Sequence, residues 1–101
     1  MMTHPTADTS ALHLVLSAAA LRDCAAVAVS GDSVLFLADG VMALLNEAAH
    51  CLDDGIDLFW SRNDLQARGL AELAARAGVQ AAADEDLAGL LAGHRHCLSW
   101  K

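Results

Sequence analysis

The sequence predicts an α/β fold: a three-layer α/β/α sandwich built on a mainly parallel, five-stranded sheet. Three observations predict it. Short apolar runs that read as buried strands alternate with segments of helical periodicity, the connections between them are short, and a glycine- or aspartate-containing turn sets off most of the segments. Strands joined through helices pair in parallel, and such sheets are covered on both faces. Right-handed crossovers then restrict the order of the strands.

The elements follow in order. Residues 1–10 are polar, contain Pro5 and predict a flexible N-terminal tail, leaving 11–101 as a single domain. Ala11 to Leu16 reads as a buried strand. Leu21, Cys24, Ala25 and Ala28 recur at i, i+3, i+4 and i+7, which predicts a helix from about Ala19 to Val29. Ser30-Gly31-Asp32 ends it, and Ser33 to Leu37 forms a second, nearly continuous apolar strand. After an Asp39-Gly40 turn, a helix is expected with Val41, Leu44, Leu45 and Ala48 on one face.

Asp53-Asp54-Gly55 breaks that helix before a third strand, Ile56 to Trp60. Asn63 or Asp64 is the expected N-cap of the next helical segment, which Gly69 interrupts and Gly78 ends. Val79 to Ala83 is a weak fourth strand, because alanine has poor strand propensity. Asp84-Glu85-Asp86 starts a last helix, where the macrodipole favours acidic residues. Gly93 stops it, and His94 to Trp100 is the fifth strand.

Composition bounds the function. A chain of 101 residues buries about 65% of its unfolded surface. At 55% apolar residues and a mean hydropathy of +0.37, it is rich in apolar surface for its size. An oligomer that buries part of that surface is expected. Thirteen acidic residues against six basic ones give a net charge of −7, and the five arginines form no run. Phosphate binding needs clustered Lys and Arg, so direct nucleic-acid binding is not expected.

Cys24, Cys51 and Cys97 form no C-x-x-C pair and cannot all be bridged, which suits a reducing compartment. The N-terminus lacks a basic n-region, and Leu12 to Leu21 is too short and too interrupted to span a membrane. A cytoplasmic protein without membrane contact is expected.

Common catalytic and binding motifs are missing. Ser17-Ala18-Ala19-Ala20 stands after the first strand where a glycine-rich phosphate loop would stand, so no cofactor is expected. No serine has a G-x-S-x-G setting. His94-Arg95-His96-Cys97 is the densest group of ligand-type residues. In a strand, His94 and His96 share a face and Cys97 faces away, and two ligands do not complete a zinc site. No metal is expected there.

One run stands out. Asp64-Leu65-Gln66-Ala67-Arg68-Gly69 follows the third strand directly, and Cys97-Leu98-Ser99-Trp100 lies at the C-terminal end. Together with Leu12-His13-Leu14 in the first strand and Gly31 to Val41 around the second, these segments resemble the DsrH/TusB family of small sulfur-relay subunits. The resemblance covers about Ala11 to Lys101. Relatives follow the first strand with a basic residue and Ser-Pro, whereas this chain has Leu16-Ser17-Ala18.

The resemblance implies a subunit of a sulfur-relay complex, more a non-catalytic or accessory subunit than an enzyme. It would assemble with DsrE/TusD-like and DsrF/TusC-like subunits, and sulfur would pass to a DsrC/TusE-like carrier. The persulfide would move between cysteines for 2-thiolation of wobble uridine in tRNA or for sulfur oxidation. Ala20-Leu21-Arg22-Asp23-Cys24-Ala25 lines up with the T-L-x-x-C-L of the DsrH branch, which makes Cys24 the candidate sulfur-handling thiol with Arg22 nearby. The same residue also reads as part of the apolar stripe with Leu21 and Ala28, since free cysteine is among the most buried residue types. The alternative function is a self-associating α/β interaction protein without sulfur transfer.

Overall fold

A computed structural model describes residues 10–46 and 51–101. Its centre is a parallel sheet of five strands: β1 (Ala11–Val15), β2 (Ser33–Phe36), β3 (Asp57–Ser61), β4 (Ala81–Ala82) and β5 (His96–Trp100). They lie in the order β4-β3-β2-β1-β5. The helices are α1 (Leu21–Val27), α2 (Arg62–Ala67), α3 (Ala71–Ala77) and α4 (Asp84–Ala92), with a 3₁₀ segment over Ala38–Asn46. The α/β class and the parallel sheet match the expectation. The expected N-terminal tail, apart from Ser10, lies outside the described residues.

The strand order explains the layering. From β1 through β4 the chain steps in one direction across the sheet, so right-handed crossovers put every connecting helix on one face. The step from β4 to β5 reverses direction and puts α4 on the other. The main core fills the first face: Val15, Val34, Phe36 and Trp60 from the sheet meet Leu21 and Cys24 of α1, Val41 and Ala43 of the 3₁₀ segment, Leu65 of α2, Leu70 at the cap of α3 and Ala74 within it. In register on neighbouring strands, Phe36 and Trp60 stack with centroids 3.9 Å apart. The second face holds Leu12 and Leu35 under a thin layer, because no residue of α4 is fully buried.

Several boundaries differ from the sequence reading. Ser61 caps α2, its hydroxyl accepting from the Asp64 N–H, in place of Asn63 or Asp64. The strand runs into the helix with no loop between, so the cap is the last strand residue. The helix expected after β2 is a 3₁₀ segment. It starts at Ala38, whose φ of 51° is left-handed, and Gly40 donates to the Leu37 carbonyl in an i→i+3 bond. Val41 and Ala43 are buried while Leu45 is exposed, and the expected Ala48 lies outside the described residues.

β4 shrinks to two alanines, in line with their weak strand propensity. β5 begins at His96. His94 lies in the short connection after α4, where its Nδ1 meets the Leu90 carbonyl at 2.7 Å and its Nε2 meets the Ser33 hydroxyl at 2.9 Å. His94 and His96 therefore do not share a strand face. Gly69 separates α2 from α3, and Gly78 ends α3 with a φ of 71°, both as expected.

Candidate functional site

Cys24 sits in the middle of α1 on the stripe that faces the sheet, because Leu21, Cys24, Ala25 and Ala28 are spaced to share one side of the helix. The helix begins after a tight turn in which the Ala20 N–H reaches both the Ser17 hydroxyl, at 3.1 Å, and the Ser17 carbonyl, at 3.2 Å. Cys24 is 0% exposed. Burial pushes its thiol up to about 11, and the nearby Cys51 and Asp32 push the same way. At pH 7 such a thiol stays protonated. The thiolate is the nucleophile in sulfur exchange, so a thiol in this setting is inert until it is exposed. Arg22, its neighbour in the resemblance, points to solvent. The exposed thiols are Cys51 and Cys97.

A second constellation was not anticipated from the sequence. His13, on β1, is 1% exposed and is held from both sides. The Trp100 indole N–H donates to its Nδ1 at 3.0 Å, and its Nε2 lies 3.0 Å from Oδ2 of Asp32. Indole nitrogen can only donate, so Nδ1 is the acceptor and the ring proton is on Nε2, donated to the carboxylate. Asp32 also accepts the Ala11 N–H at 3.0 Å and the Val29 N–H at 3.1 Å. Burial pushes its carboxyl up, but the bonds from His13, Val29 and Ala11 outweigh that and hold it below the usual carboxylate range. The signal in the sequence was the polar His13 inside an apolar strand, but its partners are 19 and 87 residues away.

The Asp64–Gly69 run builds a third cluster, at the carboxyl ends of β2 and β3. Asp64 Oδ2 accepts the Ala38 N–H at 2.7 Å and so holds the left-handed residue that opens the 3₁₀ segment. Arg68 approaches Asp64 Oδ1 at 3.4 Å and forks onto Asp39 Oδ1, with Nε at 3.1 Å and Nη2 at 2.9 Å. Each charged group in this cluster has a partner from the chain itself, so its role is to fix the loop after β2.

Ligands in open α/β sheets bind where the strand order reverses, here between the carboxyl ends of β1 and β5. That crevice is bridged by the backbone, the Leu16 N–H donating to the Trp100 carbonyl at 2.9 Å. A cleft of about 740 Å³ opens elsewhere, lined by Leu44, Leu58, Leu73 and Val79 with Asp53 and Asp54 at its rim. Its acidic rim disfavours anionic ligands. Among the described residues no group of three His, Cys, Asp or Glu is placed to hold a metal, and no helix is long and apolar enough to cross a membrane.

No curated protein matches the chain. The family model described as DsrH like protein matches residues 15–96, a span that takes in the Cys24 helix, the second strand and the whole Asp64–Gly69 run. The chain therefore belongs to the DsrH-like family.

Proposed function

We propose that the protein is an accessory subunit of a sulfur-relay complex, a cytoplasmic protein that assembles with DsrE/TusD-like and DsrF/TusC-like subunits and works with a DsrC/TusE-like carrier. The observation that carries this reading is the DsrH-like family match over residues 15–96, and family membership supports a sulfur-relay subunit in general. The pathway served is thiolation of wobble uridine in tRNA or oxidation of sulfur. In the relay, an acceptor thiolate attacks the outer sulfur of a donor persulfide, a new S–S bond forms, the old one breaks, and the donor leaves as a thiolate with no net redox change.

Within that complex we assign Cys24 a packing role in the resting subunit. Its complete burial and raised thiol support this. Sulfur handling by Cys24 would need α1 to lift from the sheet when partners bind. The same burial favours a second reading, a self-associating α/β protein without sulfur transfer. The test is co-purification with the two partner subunits, followed by incubation with a persulfide donor and intact-mass analysis. A stable hetero-complex in which this chain gains no sulfur mass supports the accessory role. A sulfur adduct lost in Cys24→Ser but kept in Cys51→Ser and Cys97→Ser makes Cys24 a carrier. Failure to assemble with either partner, with self-association instead, favours the second reading.

A further inference from the structure

Among the described residues, none pairs with the outer edge of β5. Edge strands are normally blunted by proline, a bulge, an inward charge or a covering element. His96–Trp100 has no proline and no Lys or Arg within it, and His96, Cys97, Leu98 and Ser99 are all exposed. The Trp100 carbonyl bonds to β1, so the alternation of a strand directs the backbone N–H and C=O of Cys97 and Ser99 outward. These form a row of donors and acceptors of the kind that takes up another strand.

The C-terminal segment that carries this edge is opposite in charge to the rest of the sequence. From Leu87 to Lys101 there is no Asp or Glu, while Arg95 and Lys101 bracket the strand and both are exposed. All thirteen acidic residues precede Leu87, against four arginines there. A second copy of β5 is a poor occupant, because antiparallel pairing across a two-fold axis would bring Arg95 against Lys101 of the other copy. The geometry points to β5 as a docking edge for an extended, acidic polypeptide strand of a partner, which adds to the sheet beside Cys97–Ser99 with its carboxylates near Arg95 and Lys101. Main-chain bonds supply the adhesion and the flanking charges supply the selectivity. The inference does not depend on sulfur transfer.

The test uses the full chain and two fluorescein-labelled heptapeptides, one alternating valine with glutamate and one alternating valine with lysine. The glutamate peptide is expected to bind saturably and at least about tenfold more tightly than the lysine peptide, with affinity falling as salt rises. Hydrogen exchange at the Cys97 and Ser99 amides is expected to slow on binding. Ser99→Pro removes an outward donor and leaves the β1 ladder intact, and it should abolish the protection. Arg95→Glu combined with Lys101→Glu, both at exposed positions, should reverse the peptide preference even if Ser99→Pro does not fold. Equal affinities, binding without protection of those amides, or no saturable binding up to millimolar peptide would overturn the proposal. So would a homodimer that Ser99→Pro dissociates.

Discussion

Trp100 donates its indole N–H to Nδ1 of His13 at 3.0 Å, and the two rings lie with centroids 6.1 Å apart and planes 24° from parallel. This contact links β5 to β1 through their side chains as well as their backbones. Trp100→Phe keeps most of the apolar contact but leaves Nδ1 buried without a donor. The expected loss is about 1–3 kcal/mol, read as a lower urea midpoint with an unchanged slope.

Asp32 makes stability depend on acid. Its folded carboxyl lies below its unfolded value of about 3.9. The stabilisation is therefore complete above that value and is lost as the pH falls through the lower, folded value. Urea midpoints from neutral pH down to about pH 2 should show an acid-side decline that is shallower in Asp32→Asn. A parallel decline in the two proteins would assign the acid sensitivity to other carboxylates.

Ala38 holds a left-handed backbone with φ of 51°, a conformation that costs an L-residue about 1–2 kcal/mol. Ala38→Gly relieves this cost at a smaller entropic penalty and is expected to stabilise the protein by roughly 0.5 kcal/mol, a rise in Tm of a few degrees. Asp64→Ala leaves the Ala38 N–H without its acceptor and should destabilise by about 1–2 kcal/mol.

Gly40 permits no side chain, since a Cβ there would stand 1.9 Å from the Val15 carbonyl oxygen. Backbone meets backbone at this point, so nothing can swing aside. Gly40→Ala is expected to cost about 3 kcal/mol or more and to lower soluble yield.

The three thiols should separate by reactivity. Under native conditions a maleimide is expected to label Cys51 and Cys97, with Cys24 labelled only after unfolding. Cys24→Ser buries a hydroxyl among apolar neighbours and is expected to cost about 1–3 kcal/mol. Native labelling of Cys24 at the rate of Cys51 would contradict the packing role.

Local signals made most of the fold legible. The apolar runs gave strands within a residue or two of β1, β2 and β3, and Gly69 and Gly78 punctuated the helices where the chain does. The packing of Cys24 was legible too, because the i, i+3, i+4, i+7 stripe that identified its helix is the stripe that buries it. Three features escaped for three physical reasons. The Ser61 cap hides inside a strand. The 3₁₀ winding follows from a strained Ala38 and from Gly40 pressed on another strand. The His13–Asp32–Trp100 network depends on sheet order, which sets three distant residues side by side and leaves no trace in local periodicity.

The place of β5 beside β1 has a consequence in time. Their first paired residues, Ala11 and His96, are 85 positions apart. At a synthesis rate of about 5–20 residues per second, β1 emerges roughly 4–17 s before its partner exists. Over that interval the His13 ring lacks the Trp100 donor, and the side of β1 that β5 will occupy lies open to other chains. A nascent or truncated chain ending before His96 thus presents one edge of an apolar strand, Leu12-His13-Leu14-Val15, unpaired, and keeping that edge from other chains falls to chaperones until the five-residue strand β5 arrives.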